Sequence, residues 1–129
     1  MVILFDRFNL PDDVYKIIFA TKQQVIVAKL LVQFMKENGS EVNKTEMSLF
    51  ATKLHEGTLI GTIDEPGLRG KKIKISYNKR QFYDRILTPM KSMGLIDYDL
   101  YKKTYKLSKK FATELTKIGL LWTREVSRR

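Results

Sequence analysis

Thirteen lysines and arginines fall between residues 69 and 110, against three acids, Asp84, Asp97 and Asp99. That excess of ten equals the net charge of the whole 129-residue chain. The same stretch carries Ile73, Ile75, Phe82, Ile86, Met90, Leu95, Ile96 and Leu107, the apolar content of a folded segment and not of a solvated tail. Cations displayed on a folded surface attract a polyanion, and nucleic acid is the expected one. Catalytic patterns are sparse by comparison. His55 is the single histidine and there is no cysteine, which removes thiolate and His-pair zinc sites and makes a Ser-His-Asp relay improbable. Asp64-Glu65, beside Pro66-Gly67, reads as a turn and not as a pair of metal ligands. The expectation is a binding protein and not an enzyme, without metal or cofactor.

The elements that must display these cations follow from spacing and caps. Pro11 and two aspartates open a helical segment over 11–20, and Thr21 caps a second helix that Asn38-Gly39 stops. These two segments are either separate or one bent helix. The second has apolar residues at Val25, Ile26, Ala28, Leu30, Leu31, Phe34 and Met35, a wide face that belongs at the centre of a fold. Glu41-Val42-Asn43 is a short strand. Asn43 or Thr45 caps a third helix over 44–56, with Met47, Leu49, Phe50 and Leu54 inward and Gly57 at its end. Residues 58–76 read as a β-hairpin around the turn-rich DEPGLRG.

Asn78 then caps a helix over 78–93 whose inward side is Phe82, Tyr83, Ile86, Met90 and Met93. Gln81, Asp84, Arg85, Thr88 and Ser92 fall on the opposite side at 100° per residue. Pro89 removes the hydrogen bond to the Arg85 carbonyl, and a bend is expected there. Gly94 stops the helix, LIDYD and KTYKL form two short strands, and Ser108 caps a last helix to 127 with Phe111, Leu115, Ile118, Leu121 and Trp122 on one side. The fold class is mainly α with a small β component, in a single domain over 1–129 with N- and C-terminal helical extensions. No stretch is apolar enough to cross a membrane, and the short apolar start lacks the basic flank and cleavage site of a signal peptide. Together with the missing cysteines this points to a cytoplasmic protein.

The order of elements, helix, short strand, helix, helix, hairpin, helix, is that of a winged helix-turn-helix. The stretch Leu87–Lys110 resembles the third helix and wing of the MarR-like regulators, through Leu87-Thr88-Pro89-Met90, Gly94-Leu95-Ile96 and Leu107-Ser108. Thr21–Gly39 is similar to the helix that opens that fold, and KTEMSLFATKL over 44–54 to its "T-x-x-E-L-A" helix. The resemblance covers roughly residues 21–118. The chain departs from the family by inserting about 20 residues, 57–77, between the second and third helices of the motif. Small basic proteins of this type also look like those carried by viruses and plasmids.

The resemblance implies double-stranded DNA as partner, with the helix over 78–93 in the major groove and a basic wing at 97–107. Candidate base contacts are Asn78, Gln81, Arg85 and Thr88, since glutamine pairs with adenine and arginine with guanine. Asp84 either accepts from cytosine or pairs with Arg80 or Lys91. Lys79, Arg80 and Lys91 on the helix, Tyr101, Lys102 and Lys103 on the wing, and Arg69, Lys71 and Lys72 on the inserted hairpin are candidate backbone contacts. The apolar N-terminal segment and the last helix, with Leu120, Leu121, Trp122 and Val126 spread beyond one stripe, point to a homodimer. The leading expectation is a sequence-specific transcriptional regulator. Replication or partition through origin binding, and a winged-helix module docking on other proteins, are the alternatives.

Overall fold

The computed structural model describes residues 5–62 and 72–128. After a 3-10 turn (Arg7–Asn9) come α1 (Val14–Ile18), α2 (Lys22–Glu37), β1 (Glu41–Asn43), α3 (Lys44–Glu56), β2 (Ile60–Thr62) and β3 (Lys72–Lys74). A continuous helix over 79–93, here α4, follows, then β4 (Ile96–Asp99), β5 (Thr104–Leu107) and α5 (Lys110–Ser127). The chain is mainly helical with a small antiparallel sheet in the order β1-β5-β4, and β2 pairs with β3 as a separate two-stranded ribbon.

Local chemistry sets most boundaries. Asp13 accepts from the Tyr15 N–H and opens α1, and Phe19 leaves it in extended backbone, so α1 and α2 are two helices and not one bent one. Thr21 accepts from the Gln24 N–H at the start of α2. Asn43 and Glu46 form a reciprocal capping box on α3, satisfying two otherwise orphaned N–H groups. Asn78 accepts from the Gln81 N–H at the start of α4. At α5 the expectation needs correction. Lys109 holds the cap position without a side-chain bond, and Ser108 accepts from the Lys110 N–H one step ahead of the helix.

The core lies between α2, α3, α4 and the inner faces of β1, β4 and β5. Val27, Leu31, Met35, Met47, Leu54, Phe82, Ile86, Leu87 and Ile96 are sealed from solvent. Rings run through it from Phe34 to Phe50 to Phe82 to Tyr83, with centroids 5.0, 5.6 and 5.5 Å apart. Leu49 does not join them. It is 54% exposed, and Ala51 takes the inward place.

Pro89 is accommodated by widening the helix. Tyr83–Leu87 form a π-helical turn, in which the Thr88 N–H reaches the Tyr83 carbonyl, five residues back. This turn immediately precedes the proline, where the ring would crowd the Arg85 carbonyl, and the helix continues to Met93. The shifted phase puts consecutive residues, Ile86 and Leu87, both in the core.

The inserted segment is clasped at its base. The Tyr77 N–H donates to the Leu54 carbonyl at 3.0 Å, and Ser76 Oγ donates to the His55 carbonyl at 3.3 Å. The two ends of the insertion thus meet at the end of α3, and α4 begins beside it. The described strands pair Ile60 with Lys74 and Thr62 with Lys72, as a hairpin requires. The DEPGLRG turn lies outside the described residues.

Asp13 also ties α1 to α2 through an ion pair with Lys29 at 2.6 Å, both side chains being largely buried. Burial alone would push this carboxyl up. The hydrogen bonds from Lys29 and the Tyr15 N–H, with the charges of Lys29 and Lys16, outweigh it and hold the carboxyl below the ordinary aspartate value. A lowered folded pKa stabilises the fold above the unfolded value of about 3.9, and that contribution is lost as pH falls through the folded value. Asn at 13 keeps the cap and removes the ion pair. Asp13→Asn is therefore expected to cost about 1 kcal/mol at neutral pH. Urea unfolding of both proteins should show this gap closing below about pH 4; a gap that stays constant into acid would mean the pair contributes nothing.

Candidate nucleic-acid interface

One side of α4 is core and the other is open. Phe82, Ile86, Leu87 and Met90 are buried, while Arg80, Gln81, Asp84, Arg85, Thr88, Lys91 and Ser92 are exposed. Three of the four expected base-reading residues therefore share one solvent-facing side. Asn78, also exposed, precedes the helix, and its side-chain oxygen is occupied by the Gln81 N–H. Asp84 pairs with Arg80 at 3.8 Å, an exposed contact of small energetic weight. Arg85 is exposed and has no ion pair among the described residues.

The hairpin β4–β5 flanks this helix. Its turn exposes Tyr101, Lys102 and Lys103, Tyr101 at 99%. Asp99 shapes the turn by accepting from the Tyr101 and Lys102 N–H groups at 2.9 and 3.0 Å. These bonds, that from Lys102 foremost, hold its carboxyl below the ordinary aspartate value. Lys103 closes the turn in the left-handed region at φ +53°, and its carbonyl accepts from the Lys44 N–H at 2.9 Å. The β4–β5 turn is thus joined to the first residue of α3.

Two of the lysines expected as backbone contacts have partners within the chain. Lys91 lies over the rings of Tyr98 and Tyr105, 5.4 and 5.9 Å from their centroids. Those rings face each other across the hairpin at 4.6 Å. Burial, with Tyr83 and Tyr98 nearby, pushes the Tyr105 phenol up, so it stays neutral beneath the ammonium. Lys91 therefore braces helix against hairpin. Lys79 Nζ turns back onto α3, donating to Ser48 Oγ at 3.3 Å and Thr52 Oγ1 at 3.0 Å. Both contacts have one cause: each long side chain starts near the edge of the exposed face, where a neighbouring element offers an acceptor or a ring.

His55 has a positional role that its isolation in sequence concealed. Its Nδ1 accepts from the Lys79 N–H at 3.0 Å, satisfying one of the free donors at the start of α4. Arg69 and Lys71 lie outside the described residues, and of Lys72 the backbone in β3 is described but not the side chain. Among the described residues no cluster of three or more histidines, cysteines or acids is arranged to hold a metal ion, and no helix is long and apolar enough to cross a membrane.

α5 contributes differently. Its root is fixed by the Lys110–Asp97 ion pair at 2.6 Å and by the Phe111 N–H on the Gly94 carbonyl at 3.0 Å. Beyond the root it has no buried residue, although Leu115, Ile118, Leu121, Trp122 and Val126 fall on one side of it. No protein family matches this chain, and neither does any curated protein or solved structure.

Proposed function

We propose that this chain is a sequence-specific double-stranded DNA-binding protein of winged helix-turn-helix type, acting as a transcriptional regulator and binding as a homodimer. In this reading α4 enters the major groove, which admits one helix, and the β4–β5 turn reaches phosphates or the adjacent minor groove. The observation that carries it is the open side of α4. Gln81, Arg85 and Thr88 are exposed in line on a helix whose other side is sealed in the core, beside a turn that presents Lys102 and Lys103. The sheet order β1-β5-β4, with α3 leading out of β1 and the hairpin following α4, supports the same reading. The unburied apolar side of α5, together with the exposed Phe5, Phe8 and Leu10, supports a partner copy. A two-fold dimer places its half-sites about 34 Å apart or a multiple of that.

Selection of duplexes from a random pool, followed by anisotropy titration against competitor DNA, tests it. Competitor-resistant binding to discrete sites is expected. Arg85→Ala should relax preference at one base pair, at a cost of about 1–3 kcal/mol. Lys102→Ala with Lys103→Gly should weaken every sequence alike and flatten the log–log salt slope by roughly two. Glycine suits position 103 because it removes the cation without adding strain at a positive φ. Weak binding that ignores sequence, or variants that bind like the parent, would replace this reading with that of a protein-docking module.

A further inference from the structure

The β4–β5 turn ends in two apolar side chains that nothing among the described residues covers. Leu100 is 76% and Tyr101 99% exposed, and no described large apolar side chain is more exposed than Tyr101. Hairpin tips ordinarily carry Gly, Asn, Asp or Ser. Here the turn chemistry is supplied from the flanks, by the Asp99 carboxylate and by Lys103 at its positive φ. Leu100 and Tyr101 are not needed to make the turn. Nor do they join the packing of the hairpin, whose other rings, Tyr98 and Tyr105, face each other beneath the Lys91 ammonium.

The tip is also stiff. Asp99 Oδ1 accepts from the Tyr101 and Lys102 N–H groups, and the Lys103 carbonyl accepts from the Lys44 N–H. At its base Thr104 pairs with Asp99 on one side and Asn43 on the other. Apolar side chains on such a tip enter a partner without the entropy cost of ordering a loop.

Charge narrows the partner. Lys102 and Lys103 follow Tyr101 and are exposed, and exposed Lys44 is bonded to the same turn through its N–H. Asp99, the acid of this turn, directs Oδ1 onto the turn's own amides. An apolar pair beside these cations suits a polyanion with an apolar interior. An anionic bilayer also answers to that, but Lys91 fastens this hairpin to α4, whose open side is polar through Gln81, Arg85 and Thr88. Stacked bases inside a phosphate backbone suit both the tip and the helix.

We propose that Leu100 and Tyr101 form a wedge that enters between two base pairs from the minor groove, beside the segment read by α4, and kinks the duplex there. The proposal rests on the DNA-binding reading above. It turns Tyr101 from a backbone contact into a base contact, and it adds DNA bending to the activity. Apolar side chains inserted this way part a base step and bend the duplex by about 20–90°. Lys102 and Lys103 hold phosphates next to the parted step. Pyrimidine–purine steps are the most easily kinked, so the wedge selects TA or CA/TG where no hydrogen bond reads a base.

The test uses the full-length protein and its selected duplex, labelled at both ends for energy transfer. The parent is expected to shorten the end-to-end distance. Leu100→Ser/Tyr101→Ser should leave the duplex nearly straight and bind it about tenfold more weakly. Its log–log salt slope should equal the parent's, because no cation is removed. Replacing the flexible flanking step by a G·C-rich one should weaken the parent severalfold and the double variant hardly at all. Tyr101→Phe separates a wedge from a phosphate contact, since it keeps the ring and removes the hydroxyl: it should bend the duplex where Tyr101→Ser does not. Both side chains are exposed, so these substitutions leave the fold in place, which melting curves check. The proposal falls if the parent leaves its duplex straight, if the double variant bends it as the parent does, or if Tyr101→Phe loses as much as Tyr101→Ser. It falls equally if the pair is needed for binding phosphatidylserine vesicles and not for binding the duplex. A parent that binds no duplex overturns the functional reading itself, an outcome distinct from binding without bending.

Discussion

Gly94→Ala is expected to destabilise the fold by about 3 kcal/mol, a drop of roughly 10 °C in melting temperature. Two costs add at this position. Gly94 sits at φ +85°, where an L side chain meets its own backbone. A Cβ there would also stand 2.8 Å from the Phe111 N and 3.0 Å from the Lys110 carbonyl carbon, so it meets backbone and not a flexible side-chain end. The crossing cannot open without moving the root of α5, because the Phe111 N–H is bonded to the Gly94 carbonyl and the Ser108 N–H to the Leu95 carbonyl. Gly39 separates the two costs. It ends α2 at φ +77° with nothing within 4 Å of a built Cβ, so Gly39→Ala carries the backbone cost alone, about 1 kcal/mol. Chemical denaturation of the two variants measures the difference. Equal losses would mean that α5 yields freely at its root.

This contrast marks what could be read from the amino acids. Helix ends were legible because their chemistry is local: Thr21, Asn43 and Asn78 satisfy amides within three residues of themselves, and Gly94 turns the chain at its own φ. Periodicity found the core sides of α2 and α4 for the same reason. It misplaced Leu49 because a helical stripe wider than its contact has an edge, and which edge is covered depends on neighbours distant in sequence. It missed the π-helical turn, where one extra residue shifts the phase and brings Leu87 into the core. The contacts of Lys79 with α3 and of Lys91 with two tyrosines are not legible, because charge is visible in sequence while the path of a four-carbon stem is not. The seat of Lys79 on α3 leaves no mark in the sequence at all. Thr45, Ser48 and Thr52 are ordinary surface residues until Lys79, some 30 positions away, is laid across two of them.

The dimer is the part of the functional reading with the largest expected effect on binding, and α5 makes it testable without unfolding the protomer. Ile118 is 56% and Trp122 68% exposed in the single chain, so charging them removes no intramolecular packing of note. Phe111, Leu115, Ile118 and Trp122 are spaced four, three and four residues apart, the seam of a helix that packs on another helix at a shallow angle. The apolar surface continues at the root of α5, where Val14, Ile18, Val32, Leu95 and Leu107 line a hollow of about 180 Å³. Ile118→Glu/Trp122→Glu is therefore expected to sediment as a monomer at micromolar concentration with an unchanged circular dichroism spectrum. Two linked half-site contacts give an avidity of about 10²–10⁴ over one. The variant should lose at least a hundredfold on a duplex with two half-sites, while binding a single half-site as the parent does. Loss on both probes would place these residues in the DNA contact itself. A variant that still sediments as a dimer would move the two-fold interface away from α5, and the geometry of paired half-sites would have to be rebuilt from another surface.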